Sequence, residues 1–330
     1  LTGLIPSRAE LHDFLNDPRD DDVAYAAAVE NLLASPQHGE RWGRHWMDVW
    51  RYADWAGYNA EVRESQPHIW HWRDWIIESL NQDKGYDRMI LEMIAGDELA
   101  PDDPDTLRAT GYLVRNWYKF NRNVWLEATI EHTSKAFLGV TLNCAKCHDH
   151  KYDPIDQTEY YRMRAFFEPH EIRTDRLPGQ SDTAVDGIPR VYDAQLEAKT
   201  YVFTRGNEAE PDKSKALDPG VPAVLTGPKL AIVPVSLPLT GYQPGMRPFV
   251  REEERGKARR AEETAQDHAE QARRAAAEAE AQMRASAGKD TIQKAGEFAS
   301  RLRLARAQGT AADRERALAR ARAEALEARV

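Results

Sequence analysis

Cysteine is scarce in this sequence, which has only two cysteines among 330 residues. Two thiols cannot form the disulfide framework of small secreted domains, so they make at most one local site. Long apolar runs are also missing, and a helix needs about 20 consecutive apolar residues to cross a bilayer. The net charge of −9 argues against general nucleic-acid binding, because that function needs a basic surface to meet phosphates.

The chain divides into three zones by composition. Residues 1–170 are predicted to form a helical domain, and all nine tryptophans lie in this zone between Trp42 and Trp125. Residues 171–249 are richer in proline and glycine, which predicts an irregular segment with short strands packed on the helical zone. Residues 250–330 are almost entirely Ala, Glu, Arg, Gln and Lys, which predicts a long charged helical extension. The fold class is therefore mainly α.

Local signals add detail to this mainly α prediction. Capping boxes are predicted at Ser7–Glu10 and Asp156–Glu159, and Ser35 is predicted to cap a helix that starts at Pro36. The stretch "KTYVFTRG" alternates like a short strand. In the third zone the helix is expected to break near "SAGKD" or "AQGTA", giving a hairpin or two segments. Its apolar seam is mostly alanine, which disfavours a strong dimeric coiled coil and favours a solvated spacer.

Both cysteines lie in "LNCAKCHDHKYDPIDQTEYY", where His148 directly follows the second of them. Cys-x-x-Cys-His is typical of c-type haem attachment. Two thiols separated by two residues can add to the two vinyl groups on one edge of a porphyrin, and the next residue then lies beneath the iron. We predict one covalent haem c, with Cys144 and Cys147 as anchors and His148 as proximal ligand. The other nitrogen of His148 should donate to a carbonyl or carboxylate, such as that of Asp149.

Three other interpretations of the same residues remain open. The two cysteines could bind zinc with His148 or His150, although a closed zinc site needs a fourth ligand from elsewhere. They could form a redox dithiol, although such pairs usually lie at the strand-to-helix turn of a βαβ unit, and the sequence does not predict one. They could also be buried and inert.

Several long stretches of the chain occur together in a known family. In order, they are "SPQHGERWGRHWMDVWRYAD", "WRDWIIESLN", "GYDRMILEMIAGDEL", "FLGVTLNCAKCHDHKYDPIDQTEYYRMRAFF" and "TYVFTRGNEAEP". Over about residues 1–250 they resemble the planctomycete-type cytochrome c domain family of large secreted bacterial proteins. The resemblance implies a covalent c-type haem and therefore a periplasmic or otherwise extracytoplasmic location. Members often continue into further domains, some associated with carbohydrates, so we expect this chain to be part of a longer protein.

The sixth iron ligand decides between electron transfer and an open iron site. His132, on the helix before the motif, and Met163, on the helix after it, are the candidates. His150 is too close to His148 along the chain to reach the opposite face of a haem. Instead, His150 and Lys151 are predicted at the exposed haem edge. Further histidines that could serve are His45, His68, His71 and His170.

A second group of candidate site residues lies earlier in the chain, between residues 41 and 52, at the three- and four-residue spacing of one helical face. Arg41, His45, Asp48 and Tyr52 share one predicted helical face, beside a face that carries Trp42, Trp46 and Trp50. The set is either a polar network beside an aromatic core or the wall of a pocket, in which Arg41, His45 and Tyr52 contact haem propionates. Candidates for buried ion pairs are Arg51, Asp54, Arg73 and Asp74. Asp97 is predicted to cap a helix or lie in a turn.

These observations favour an extracytoplasmic electron-transfer domain with an unknown redox partner. Electron transfer is favoured over catalysis because no other residues form a recognisable catalytic set. One alternative is a haem redox enzyme with an open iron site that takes part in polysaccharide breakdown. The other is a zinc-stabilised structural or interaction module.

Overall fold

The computed structural model describes residues 1–53, 66–225, 231–286 and 292–327. It is mainly helical, with 63% helix and 8% strand, so the predicted fold class is confirmed. The chain forms two compact units, residues 1–244 and residues 245–330. In the described ranges, no helix has both the length and the apolar character that a membrane span requires.

Ten helices of the first unit are described. Their bounds are α1 Arg8–Leu15, α2 Asp21–Leu33, α3 Pro36–Trp50, α4 Trp70–Asn81, α5 Tyr86–Leu99, α6 Pro104–Leu107, α7 Gly111–Val114, α8 Arg122–Thr133, α9 Gln157–Ala165 and α10 Leu239–Tyr242. Both capping boxes are confirmed, with Ser7 and Glu10 starting α1 and Asp156 and Glu159 starting α9. Ser35 is the N-cap of α3 and Pro36 its first residue, as predicted, although the Ser35 hydroxyl contacts the Gln37 side chain and makes no cap hydrogen bond.

The core of the first unit is aromatic, as the clustering of tryptophans predicts. Trp50, Trp72, Trp75 and Trp125 are at most 1% exposed, and they come from α3, α4 and α8. Gly111, the first residue of α7, lets that helix approach α4 closely, since a Cβ there would lie 2.6 Å from Cβ of Trp72. The indole N–H of a buried tryptophan needs a partner, and that of Trp125 donates to a backbone carbonyl at 2.7 Å.

Two short antiparallel sheets complete the first unit. Strands β1 (His170–Asp175) and β2 (Ile188–Asp193) pair in one sheet, and β3 (Thr200–Phe203) and β4 (Pro211–Leu217) pair in the other. The strand predicted from "KTYVFTRG" is β3, which lies against α9. This contact brings the end of β3 close to the cysteine segment that precedes α9.

The second unit is a hairpin of two long helices, α11 (Pro248–Ser286) and α12 (Ile292–Glu327). Most of the predicted break at "SAGKD" lies outside the described residues, and the alternative break at "AQGTA" is wrong, since that stretch lies inside α12. The helices are antiparallel, since Arg273 donates to Asp313 at 2.8 Å and Arg306 pairs with Glu280. Buried alanines recur every seven residues along both helices, at positions 258, 265, 272 and 279 and at positions 305, 312 and 319. The alanine seam therefore joins two helices of one chain, as the hairpin alternative predicts.

Candidate functional site

Cys144 lies in a short 3-10 helix, Asn143–Lys146, and Cys147 directly follows the end of this helix. Side chains three residues apart eclipse one another on a 3-10 helix, so a continuation of this turn to Cys147 would bring the two thiols to the same side. Both are exposed and neither forms a disulfide. This pair of accessible thiols contradicts the interpretation that they are buried and inert, and it fits the two-thiol attachment that a c-type haem requires.

His148 is exposed, and its ring is oriented by the neighbouring backbone. Its Nδ1 lies 2.6 Å from the carbonyl oxygen of Asp149. A carbonyl accepts hydrogen bonds and cannot donate them, so Nδ1 carries the proton and Nε2 of the neutral ring carries the lone pair. The ring is thus held in the tautomer that a metal bound through Nε2 would need.

Hydrogen bonds also fix the turn that follows the motif. The Asp149 carboxylate accepts the backbone N–H of Gln157, the first residue of α9, at 2.9 Å. Nδ1 of His150 accepts the N–H of Asp153 at 2.9 Å, and the His150 side chain is only 6% exposed. His150 therefore supports the turn from inside and does not lie at an exposed edge, which corrects the prediction. Lys151 is exposed and lies over the ring of Tyr152.

Three other elements hold the carbonyl end of the 3-10 turn. The Gln157 side chain donates both to the carbonyl of Lys146, at 2.8 Å, and to that of Phe203 at the end of β3, at 3.1 Å. The Tyr161 hydroxyl donates to the same Lys146 carbonyl at 3.0 Å. The Lys146 ammonium pairs with Glu127 of α8. The cysteine segment is consequently tied to α8, α9 and β3.

A tight turn after β3 lies directly against the second cysteine. Residues Thr204–Gly206 form this turn, in which Arg205 and Gly206 have positive φ angles of 54° and 76°. A Cβ added at Gly206 would lie 2.5 Å from Sγ of Cys147. No residue of this zone is predicted from the sequence to contribute to the site, so Gly206 is missed, although it stands in the "TYVFTRG" stretch that carries the family resemblance.

His132 occupies the last turn of α8, and the groups around it are cationic. Burial, together with the charges of Arg115 and Arg51, lowers the pKa of His132 from 6.5 to about 4, so the ring is neutral at neutral pH. Its Nδ1 is buried without a hydrogen-bond partner. Glu127 reaches Lys146 from α8, and His132 is five residues further along, about 140° around the helix axis. The candidate ligand thus faces Arg115 and not the cysteine segment.

Met163 is a core residue with 6% exposure. Gln157 and Tyr161 of the same helix face the 3-10 turn, whereas Met163 projects about 120° away from Gln157 around the axis of α9. It would have to leave the aromatic core to reach a group bound at the exposed thiols.

The face predicted to be a pocket wall is a solvent-exposed surface of α3. Arg41, His45 and Asp48 are exposed, and the His45 ring packs on Trp42, which is itself 42% exposed. Tyr52 does not share this face, because α3 ends at Trp50 and the next residue, Arg51, has a left-handed conformation. The Tyr52 ring instead packs on Trp72, at 5.6 Å between ring centroids.

The aromatic stripe and the predicted buried pairs also differ from expectation. Trp50 is buried, Trp46 is half-buried and Trp42 is exposed, so the stripe runs from the core to the surface. Arg73 pairs with the adjacent Asp74 at 2.9 Å in a half-buried position. Asp54 lies outside the described residues.

Asp97 is buried, with 2% exposure, and it lies two residues after a kink at Ala95 that interrupts α5, in the first turn of the second part of that helix. Burial raises the pKa of this carboxyl from 3.8 to about 7, and Arg190 opposes the rise. His170 is also buried and lies 3.5 Å from Asp193. His71 contacts the Asp186 carboxylate at 2.7 Å, and His68 contacts a backbone carbonyl of the same loop. These contacts join α4 and the residues just before it to the loop between β1 and β2, and they join the ends of the two strands to each other.

No three His, Cys, Asp or Glu side chains within the described ranges are grouped so that they could hold a metal ion. For the zinc alternative, Cys144, Cys147 and a histidine would therefore have to rearrange and recruit a further ligand. For haem attachment the requirement is smaller, because two thiols and one imidazole nitrogen suffice and all three are accessible.

Comparison with known proteins gives one family. The model of the family PSCyt2, described as a protein of unknown function (DUF1549), matches residues 1–172, more than half of the chain. No curated protein and no solved structure matches the chain significantly. The matched range includes the 3-10 turn with both cysteines and His148, as well as the start of the first sheet. The chain therefore belongs to this planctomycete-type domain family of unknown function.

Proposed function

We propose that the first unit binds one covalent c-type haem and transfers electrons outside the cytoplasm. The observation that carries this proposal is the pair of exposed thiols in and directly after one 3-10 turn, followed by an imidazole whose Nδ1 is hydrogen-bonded to a backbone carbonyl, which leaves Nε2 as the nitrogen for a metal. Cys144 and Cys147 hold the haem edge through thioether bonds, and His148 binds the iron.

The residues around the site have separate tasks under this proposal. The carbonyl of Asp149 keeps the His148 ring in one tautomer and one orientation. Gln157, Tyr161 and Glu127 keep the 3-10 turn in place, so the spacing of the thiols does not depend on the loop alone. The haem, when bound, supplies reversible one-electron chemistry at the iron.

Location and partners follow from the same proposal. Covalent haem attachment implies assembly in the periplasm or after secretion. The electron donor or acceptor is a redox partner protein, and further domains of a longer parent protein adjoin this chain. The charge of −9 supports a role without nucleic acid.

A second candidate is a haem redox enzyme with an open iron site, acting in polysaccharide breakdown. This candidate needs no sixth ligand, which agrees with the orientation of His132 and Met163 away from the cysteine segment; the electron carrier would take its sixth ligand from another residue. Cyanide and carbon monoxide distinguish the two, since an open site gives a ligand-dependent spectral change at neutral pH and a closed site does not.

The decisive experiment is expression with the cytochrome c maturation machinery, followed by acid-acetone extraction and a pyridine haemochrome spectrum. We expect haem to stay with the polypeptide and to give a c-type band. The double variant Cys144→Ala/Cys147→Ala should lose the haem on extraction, whereas Arg41→Ala, on the exposed face of α3, should keep it. Loss of haem from the unmodified chain, with about one zinc per chain, would identify the segment as a structural metal site instead.

A further inference from the structure

The second thiol of the pair lies against backbone of a different element. Sγ of Cys147 is close to Gly206, where an added Cβ would lie 2.5 Å from the sulfur and 3.4 Å from Cα and Cβ of Cys147. A contact of 2.5 Å between two such atoms is far inside van der Waals distance, so a side chain at residue 206 would displace either the sulfur or the turn.

The turn is held in place by contacts that do not involve the cysteines. The Phe203 ring, at the end of β3, packs edge-on against Tyr161 at 5.2 Å and beneath the Arg164 guanidinium at 4.9 Å. Gln157 donates to the Phe203 carbonyl and to the Lys146 carbonyl, and thereby joins β3 to the 3-10 turn. Since both sides are fixed, the turn cannot easily move away from Cys147.

We propose that Gly206 is the positioning residue of the second thiol. Because residue 206 has no side chain, the Cys147 sulfur stays on the same side of the 3-10 turn as Cys144, and both thiols can react with one bound group. This inference rests on the proposed function for the identity of that group, but the spacing of the two thiols can be tested without it.

The chemistry that depends on the spacing is a pair of additions. In each, a thiol S–H adds across a vinyl C=C bond, so that the sulfur bonds to one carbon and the proton goes to the other, with no external oxidant or reductant. Displacement of one sulfur leaves the first addition possible and prevents the second. We therefore expect Gly206→Ala to retain haem through Cys144 with one vinyl group unreacted, which the haemochrome spectrum reports.

A double-mutant cycle measures the contact in the absence of haem. Unfolding by urea under reducing conditions is compared for the unmodified chain, Gly206→Ala, Cys147→Ala and the double variant. Gly206→Ala should raise the unfolding equilibrium constant about tenfold more when the Cys147 sulfur is present than when it is absent. Equal effects in the two backgrounds would overturn the proposal, because the sulfur would then not meet the added methyl group.

Gly179 provides the matched control for backbone strain. It has a φ of 81°, close to the 76° of Gly206, and a Cβ there would meet nothing within 4 Å. Gly179→Ala therefore introduces the backbone strain of a positive φ without any contact to a sulfur. Its effect on the unfolding equilibrium constant should be the same with and without Cys147. A second cycle pairs Gly206→Ala with Cys144→Ala. Here Gly206→Ala should raise the unfolding equilibrium constant equally with and without the Cys144 sulfur, since the contact involves Cys147.

Phenylarsine oxide reports the pair directly, since one arsenic bridges two neighbouring thiols. It should bind the unmodified chain and Gly179→Ala equally well, and Gly206→Ala about tenfold more weakly. Equal affinity for all three would contradict the positioning role. One outcome is that the chain retains no haem while Gly206→Ala still shows the Cys147-dependent destabilisation and the weaker binding of phenylarsine oxide. In that case the proposed function fails and the positioning role stands. If the chain retains haem and the cycle is additive, the proposed function stands and the positioning role fails.

Discussion

Replacement of Asp97 by Asn should make the first unit more stable at neutral and alkaline pH. Asp97 is 2% exposed inside α5, and burial raises its pKa from 3.8 to about 7. Above that pH the native protein holds a buried carboxylate, which Arg190 compensates in part. Asparagine has nearly the same shape and carries no charge, so the variant avoids this cost.

The sign and size of the pH dependence of stability follow from proton linkage at Asp97. Between pH 4 and pH 7 the native carboxyl keeps its proton while the unfolded one has lost it, so the stability contribution of Asp97 falls as the pH rises. A shift of about three pKa units corresponds to about 4 kcal/mol, lost at about 1.4 kcal/mol per pH unit. His170 acts in the opposite direction, because burial lowers its pKa to about 4 and its contribution is lost as the pH falls below 6.5.

The assay is urea unfolding from pH 5 to pH 8, followed by tryptophan fluorescence. All nine tryptophans lie between Trp42 and Trp125, so the signal reports the first unit and is silent about the helical hairpin. The stability difference between Asp97→Asn and the unmodified chain should grow with pH up to about pH 7 and then level off. The His170 contribution is present in both proteins and cancels from this difference. Parallel stability curves would refute a buried carboxyl with a raised pKa.

Three further substitutions test contacts of the cysteine segment and of the hairpin. Gln157→Ala removes the link between β3 and the 3-10 turn, and we expect a loss of about 1–3 kcal/mol in urea unfolding together with faster alkylation of Cys147. Asp149→Ala should cost about 1 kcal/mol because the first N–H of α9 loses its acceptor, whereas Asp149→Asn should cost less; equal losses would contradict this assignment. Ala272→Leu should destabilise the hairpin by about 1–3 kcal/mol in circular dichroism melts, and the same change at the exposed Ala275 should be nearly neutral.

Local chemistry explains which parts of the fold could be predicted. The capping boxes at Ser7 and Asp156 depend on side chains three residues apart, so four letters of sequence suffice to identify them. The strand at "KTYVFTRG" is equally local. Tertiary placement is different, because spacing along one helix does not say which face meets the core. Arg41 and His45 share the predicted face, yet that face lies in solvent.

The end of α3 illustrates why the pocket wall could not be extrapolated. A helix continued through Tyr52 would place that ring beside Asp48, as the four-residue spacing predicts. Arg51 instead adopts a φ of 61°, and Tyr52 turns back to pack on Trp72. A non-glycine residue in the left-handed region has no clear signature in the sequence, since the conformation is stabilised by the surrounding core.

The candidate site divides in the same way between local and tertiary features. The spacing of Cys144 and Cys147 and the carbonyl acceptor for His148 both arise within six residues, and both are predicted from the sequence. The supports come from residues that are distant along the chain or on other elements, because a 3-10 turn of four residues cannot hold its own geometry against solvent.

Gly206 shows what this division means for function. It lies 59 positions after Cys147 in the sequence, and yet its missing side chain determines where the sulfur of that cysteine can be. The Cys-x-x-Cys-His motif alone therefore specifies which atoms can react, whereas α9 and the turn after β3 determine whether both thiols are presented on one side. A peptide limited to residues 141–155 would keep the reactive atoms and lose the Gly206 contact. Its two thiols should consequently lose the difference in environment that the folded chain imposes on them.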